Sequence, residues 1–261
     1  MPDESLESGL GENVNAYSSL LAVKEINTIS RARTLRLMAG DIIFGVDGQI
    51  YKDGIIEFQT LMEECDEETG VLLTILRKDC IFNIIAYGPL GVTLEFPKPE
   101  DLEEIVKNIK GYDFPAREEL IVFEVLKDLY RRCEIIDTSP DPVAFYVPPI
   151  WLIQNRLFEP LLAVSVIYAI TFAVHWVLFV ISYILLALYF KRGYLMMLRS
   201  FIIYKEYQMW MVIAARDLKE VQITVRKIDE KARFRNSLIG DPEPPQEPKK
   251  KKRKRSSIPG T

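Results

Sequence analysis

Short apolar runs alternate with turn residues between positions 20 and 96, a pattern that is typical of β-strands. Within this stretch the apolar residues at 55, 58, 61 and 62 follow helical spacing, so we expect one amphipathic helix at 55–65. Asp47-Gly48 is a strong turn signal, and Lys78-Asp79-Cys80 separates two β-rich runs in the manner of a hairpin. The pattern predicts a compact, mostly-β domain over residues 20–98, with strands at 20–26, 41–47, 71–77, 81–87 and 91–96.

Residues 99–148 are expected to form a helical or mixed connector. Pro99 begins a predicted helix that ends near Ile109, just before Gly111. In the stretch 118–132 the spacing of apolar residues fits a helix and a strand equally well, and the choice between them stays open.

The most apolar part of the sequence is 160–190, which contains no acidic or basic side chain apart from one histidine. A run this long predicts a membrane segment, because about 18 apolar residues are enough to indicate one. One helix of this length would be about 46 Å long against about 30 Å of hydrocarbon, so it would have to tilt. We therefore expect a membrane region at 149–192, formed by a helical hairpin or by one long tilted transmembrane helix.

Beyond the apolar run, residues 193–235 mix Leu, Met, Ile and Tyr with cations, which predicts amphipathic helices at the membrane interface. Asp217 and Glu220 have the spacing of a capping box at the start of one such helix. Residues 1–19 form a polar segment, and the proline-rich, basic tail at 236–261 is expected to be disordered. The predicted fold class is α+β: a small mostly-β domain, then a helical membrane region, then amphipathic helices.

Charge is divided unequally along the sequence, although 33 basic and 37 acidic residues nearly cancel overall. Residues 1–150 hold 14 Lys and Arg against 28 Asp and Glu, whereas residues 151–261 hold 19 against 9. Cations directly after the apolar run place that flank in the cytoplasm by the positive-inside rule. A hairpin keeps both flanks there without exporting a folded acidic domain, so we favour it over the single helix.

The residue inventory argues against a conventional enzyme. A Ser/His/Asp or Cys/His site needs a histidine beside its nucleophile, but the single histidine, His175, lies inside the apolar run. The three cysteines, Cys65, Cys80 and Cys133, are far apart and form no CxxC motif, and no phosphate-binding glycine motif is present. We predict no catalytic residue, no metal site and no cofactor.

His175 has two interpretations. It is either an intramembrane polar site such as a proton relay, or a neutral imidazole at the bend of a hairpin. No second ionisable group is available between Glu159 and Lys191 to pass a proton on, which favours the second interpretation.

The basic tail is a candidate contact for anionic lipids or an acidic protein partner. Seven consecutive cations carry this prediction: Lys249, Lys250, Lys251, Lys252, Arg253, Lys254 and Arg255. A plain solvated tail and a nuclear import signal are the competing interpretations. Nucleic acid is the less favoured partner, because a protein with a bilayer anchor already lies next to anionic lipid.

A set of short motifs in the first domain resembles a PDZ domain of the bacterial type. Ser30-Arg31-Ala32 stands at the start of a helix, Gly40-Asp41-Ile42-Ile43 follows Leu37, and Val46-Asp47-Gly48 comes next at the spacing usual in that family. The resemblance covers residues 20–96, under a third of the sequence. The membrane region is more loosely similar to small bacterial inner-membrane proteins of unassigned function.

This resemblance implies that an extended peptide, often the C-terminus of another protein, adds as a strand to an exposed sheet edge. In such domains a glycine-containing loop holds the terminal carboxylate through backbone N–H groups. Two loops are candidates for this role. One is Gly9-Leu10-Gly11, which is followed by the acidic Glu12, and the other is Leu90-Gly91-Val92. Ile55 and Phe58 belong to the helix that is expected beside the groove. Alternatively, the domain packs or dimerises without binding termini.

These patterns together favour a membrane-anchored, non-enzymatic PDZ-type adaptor that binds a protein partner. The alternative is a structural or assembly subunit of a larger membrane protein complex. The expected location is a membrane, namely the bacterial inner membrane, with the N- and C-terminal regions in the cytoplasm.

Overall fold

The computed structural model describes residues 19–66 and 68–242, which form a ten-stranded sheet with helices on both faces. The strands are β1 (Leu21–Ile26), β2 (Ile42–Val46), β3 (Gln49–Ile50), β4 (Val71–Arg77), β5 (Cys80–Ala86), β6 (Val92–Glu95), β7 (Ile121–Lys127), β8 (Arg132–Asp137), β9 (Gln208–Ala215) and β10 (Arg233–Phe234). The helices are α1 (Arg31–Thr34), α2 (Ile55–Glu63), α3 (Pro99–Ile109), α4 (Pro142–Tyr146), α5 (Pro148–Gln154), α6 (Phe158–Val174), α7 (Trp176–Tyr204) and α8 (Leu218–Ile228). The α+β class expected from the sequence is confirmed.

The strands follow the order β10-β8-β7-β9-β5-β4-β2-β1-β6, with β3 paired to β2. Strand β9 joins the two parts of the sheet. It pairs with β7 from Ile121 opposite Ala215 to Lys127 opposite Gln208, and it meets β5 where Asn83 lies opposite Ala214. The first strands and the last strands of the protein therefore belong to one sheet.

The strands and the helix expected in the first domain are confirmed, because local patterns decide their positions. β4 and β5 form the predicted hairpin, with Arg77 opposite Cys80 and the turn residue Lys78 in the left-handed region at φ 56°. Ser30 caps α1, since its side chain accepts a hydrogen bond from the N–H of Arg33.

The two faces of the sheet are covered by different helices. On one face, Phe58 of α2 and Val221 and Val225 of α8 belong to the largest buried cluster, with Phe123 and Val125 of β7 among its strand residues. On the other face, α3 packs over β2 and β4, and α7 packs over β7 and β8. Because both faces are covered, central strands such as β4 are buried at every position.

Four strands, β7 to β10, occupy regions where the sequence predicted helices or left the choice open. The connector 99–148 contains β7 and β8, and the segment 193–235 contains β9 between the end of α7 and α8. Alternation fails as a signal here because apolar residues are needed on both faces, so the runs resemble helices in sequence. Part of the segment expected to be a disordered tail from 236 is instead fixed to α8, since Asn236 and Leu238 hydrogen-bond to the side chain of Gln222.

The apolar run of 160–190 folds into two antiparallel helices, α6 and α7, that break at His175. Ring contacts join Tyr168 with Phe179 and Tyr183, and Phe172 with Phe179, so the helices run back along each other from the break. Helix α6 has 17 residues and is about 25 Å long, whereas α7 has 29 residues and is about 44 Å long. Among the described residues, α7 alone is long and apolar enough to cross a membrane by length and composition.

The longer helix α7 returns to the sheet and is fixed there. Arg199 donates to the carboxylate of Glu124 on β7, with 2.6 Å between Nε and Oε2, and Ile202 packs with Leu126 and Ile136. Closer to the middle of α7, the buried ring of Trp151 on α5 contacts the rings of Phe190 and Tyr194. The helical pair is therefore held in place by contacts with the sheet and with α5.

The acidic residues of the two glycine motifs have structural roles. Asp41 is buried and accepts from the N–H of Met38 and from Nε and Nη2 of Arg77, all at 2.7 Å. Asp47 sits at φ 46° and accepts from the N–H of Leu72 at 2.9 Å, which ties the turn to β4.

We expect Asp41→Ala to lower the free energy of unfolding by about 3–5 kcal/mol, because it leaves the buried Arg77 cation without its partner. Urea unfolding of the full-length protein in neutral detergent, followed by tryptophan fluorescence, measures this. Glu119→Ala is the matched control. It breaks an ion pair with Arg216 whose side chains are 54% and 51% exposed, so a loss below about 1 kcal/mol is expected. Equal losses for the two variants would contradict the structural role of Asp41.

Candidate functional site

A groove of about 260 Å³ lies between helix α2 and strand β6. Its lining comes from the helix, from the loop before β6, and from β6 itself: Phe58, Gln59, Met62, Glu63, Pro89, Leu90, Gly91, Val92 and Leu94. The apolar members Phe58, Met62, Leu90 and Leu94 are buried and form the floor, while Gln59 and Glu63 are exposed on its helical wall. The groove therefore combines an apolar floor with a polar rim.

Strand β6 is the last strand of the sheet on this side and pairs with β1 alone among the described strands. Leu94 is buried and Val92 half-buried, whereas Thr93 and Glu95 are exposed. The outer edge of such a strand presents backbone N–H and C=O groups that another extended segment can pair with. The groove thus runs beside a sheet edge on which no further strand of the described residues lies.

The loop before β6 is fixed by backbone hydrogen bonds on one side. The carbonyl of Leu90 accepts from the N–H of Ala32 at 2.9 Å, and that of Gly91 accepts from Asn27 at 3.1 Å. Gly91 has φ +69°, and a Cβ there would lie 2.8 Å from Cβ of Ser30, so the loop requires glycine at this position. Within the described part of the protein, the backbone N–H groups of Leu90 and Gly91 have no hydrogen-bond acceptor.

The structure brings most of the described candidate residues together. Leu90, Gly91, Val92 and Phe58 line one groove, but Ile55 packs against the neighbouring core instead of lining it. Gly9-Leu10-Gly11 and the seven tail cations from Lys249 to Arg255 lie outside the described residues. The groove residues Gln59, Met62 and Glu63 were missed, although their spacing from Phe58 along the helix could have identified the same face.

A second notable surface covers α6 and the first two thirds of α7. The exposed side chains there are almost all apolar: Leu162, Val166, Ile170, Val174, Trp176, Val180, Ile181, Ile184, Leu185 and Leu188. At the break between the helices, His175 accepts from the N–H of Val177 through Nδ1 at 3.1 Å and so caps α7. An exposed apolar surface of this extent marks contact with a membrane or a protein partner.

Two of the three cysteines, Cys80 and Cys133, are buried. Burial raises the pKa of the Cys133 thiol to about 12, and burial also raises the pKa of Cys80. Both are therefore protonated at neutral pH, whereas a cysteine nucleophile reacts as the thiolate. Among the described residues, no group of three His, Cys, Asp or Glu side chains is placed to hold a metal ion.

No protein-family model matches the sequence, and comparison with curated proteins finds no match.

Proposed function

We propose that the protein is a membrane-anchored, non-enzymatic adaptor of the PDZ type. A segment or the C-terminus of a partner protein binds in the groove and adds as a strand to β6, and the helical pair α6–α7 anchors the sheet to a bilayer. The observation that carries the proposal is the position of the groove directly beside the open edge of β6.

The chemistry of the groove supports capture of a terminus. A peptide that pairs with β6 points alternate side chains toward α2, where the floor formed by Phe58, Met62 and Leu94 takes an apolar group. Leu90 and Gly91 line the groove, and we infer that their N–H groups, which have no acceptor among the described residues, donate hydrogen bonds to a carboxylate. Hydrogen bonds to an ionised acceptor are about twice as strong as those between neutral groups.

The shape of the helical pair supports anchoring with both flanks on one side of the bilayer. Residues 160–190 carry no acidic or basic side chain apart from His175, and their outward side chains are apolar. Because β7 and β9 pair along their lengths, the segments before and after the helices lie in the same sheet. A single crossing would separate them, so a hairpin that enters and leaves on one side fits the fold.

One observation favours the alternative, a structural or assembly subunit of a larger membrane complex. The small residues Ser165, Ala169 and Ala173 form an exposed stripe along α6, and such stripes let membrane helices approach closely. A partner helix that packs there permanently would make this protein a fixed component of a complex.

Solubilisation in mild detergent followed by sizing separates the two functions. The adaptor is expected to run alone or as a small oligomer, whereas a fixed subunit runs with stable partners. If partners are present, Ala169→Leu should release them because the larger side chain blocks close approach. Ala163→Leu, which is exposed but lies off the stripe, should leave them bound. Stable co-migration that Ala169→Leu disrupts would contradict the adaptor function.

We expect Gln59→Trp to abolish peptide binding, because the indole fills the groove from its exposed helical wall. Fluorescence polarisation of the full-length protein in neutral detergent against labelled peptides with apolar C-terminal residues measures the effect. Amidation of the peptide terminus should weaken binding by about tenfold or more, since it removes the charge that the loop N–H groups hold.

The matched control is Ile56→Trp on the same helix. Ile56 is 73% exposed and does not line the groove, so this variant should bind as the unaltered protein does. Equal binding by Gln59→Trp, or no preference for a free carboxylate, would refute terminus capture at this groove.

Protease digestion of sealed, right-side-out vesicles tests the topology. With one epitope tag at each end of the protein, we expect both tags to be protected until detergent opens the vesicles, because both flanks share one sheet inside. Digestion of a single tag from outside would exclude the hairpin, and digestion of both would exclude the cytoplasmic placement.

A further inference from the structure

A second and larger cavity, a cleft of about 680 Å³, lies at the opposite edge of the sheet from the peptide groove. It is bounded by β8 and β10, by the last turns of α7, and by the turn that connects α5 to α6. Its volume is in the range of small-molecule binding sites, which are about 300–1,000 Å³. Four separate segments of the protein thus converge on one cleft.

Cations dominate the rim of this cleft. Five basic side chains line it, against the two acids Glu134 and Asp241: Arg132, Arg156, Lys205, Arg233 and Arg235. Two of these cations are neutralised, since Arg132 pairs with Asp128 and Arg235 pairs with Glu134.

The other three cations remain without a carboxylate partner within the described ranges 19–66 and 68–242. Arg156 and Arg233 have exposed side chains with no ion pair, and Nζ of Lys205 lies over the ring of Phe201 at 4.2 Å from its centroid. Three uncompensated cations around one cavity attract an anion, and guanidinium groups match the geometry of a phosphate in particular.

The lining of the cleft also contains apolar side chains, which we call its floor. Leu198 and Ile202 of α7 and Ile136 of β8 contribute to it, and Gln154 and Asn155 add amide groups beside the cations. An apolar floor below a basic rim fits a molecule with both a phosphate group and a hydrocarbon part. A simple inorganic anion would leave the floor unfilled.

The position of the cleft identifies the source of such a molecule. Arg156 comes just before α6, so one end of the cleft lies where the helical pair begins, at its root, and the cleft extends from there along the last turns of α7 to Lys205. If α6 and the facing part of α7 are buried in lipid, their root is at the headgroup layer. Basic pockets at this depth are where anionic headgroups bind.

We propose that this cleft binds the phosphate headgroup of an anionic phospholipid. The inference rests on the proposed membrane anchoring but concerns a different site from the peptide groove. The phosphate contacts Arg156, Lys205 and Arg233, and the first part of an acyl group lies against the apolar floor. The lipid thereby fixes the sheet against the bilayer surface.

Thermal unfolding of the full-length protein in neutral detergent tests the site, because a ligand that binds the folded state raises the Tm. The probes are dihexanoyl phosphatidylglycerol, dihexanoyl phosphatidylcholine and glycerol 3-phosphate. We expect the anionic lipid to raise the Tm with concentration and the neutral lipid to leave it unchanged. Glycerol 3-phosphate should have a much smaller effect at equal concentration, since it lacks the hydrocarbon.

Two triple variants provide the comparison, and both keep the basic tail. The cleft variant combines Arg156→Gln, Lys205→Gln and Arg233→Gln. It should abolish the rise in Tm that the anionic lipid causes. The control combines Lys52→Gln, Lys107→Gln and Lys110→Gln, three exposed cations far in sequence from the cleft, and should keep the shift. All six side chains are exposed, so both variants are expected to fold.

If the anionic lipid still raises the Tm of the cleft variant, the cleft is not the binding site. An equal rise in Tm with the neutral lipid would also contradict the site. An equal shift with glycerol 3-phosphate would overturn the lipid as the source of the phosphate. Co-sedimentation with phosphatidylcholine vesicles reports the anchoring separately. If the unaltered protein does not sediment, the membrane proposal fails; if the cleft variant sediments normally but lacks the shift, both proposals stand.

Discussion

The pairing of β9 with β7 is the constraint on which the rest of the structure depends. After β8 the backbone leaves the sheet, forms α4 to α7, and then returns as β9 to a position between β5 and β7. The two long helices therefore begin and end at the same folded body. The buried ring of Trp151, the ion pair of Arg199 with Glu124 and the packing of Ile202 all lie where the helices meet that body. They hold the helical pair to the sheet, so it is not a separate domain on a linker.

The two candidate binding places lie at opposite edges of this sheet. The peptide groove flanks β6, and the basic cleft flanks β8 and β10. Eight strand spacings separate β6 from β10, about 38 Å along the sheet at the usual distance between neighbouring strands. In the two proposals, the sheet therefore keeps the segment bound beside β6 away from the lipid bound beside β8 and β10.

The sequence predicted those turns, helix caps and hairpins that depend on residues close to each other in the sequence. Asp47-Gly48 marked a turn, Ser30 capped α1, and the hairpin of β4 and β5 followed from two β-rich runs. β9 was missed because its partners, β5 and β7, lie far away in the sequence, and a strand covered on both faces does not alternate. In the groove, Leu90, Gly91 and Phe58 were found through motif spacing. The cleft could not be found in this way, since Arg156, Lys205 and Arg233 come together only after the sheet has formed.

The late position of β9 in the sequence also sets an order of events during synthesis. When β5 and β7 have been made, the edges that later receive β9 are still unpaired, because β9 follows about 80 residues after β7. The ribosome must first deliver α6 and α7, the most apolar part of the protein, before the strand that closes the sheet emerges. The helices are thus complete while the sheet is still open, and only their return allows it to close.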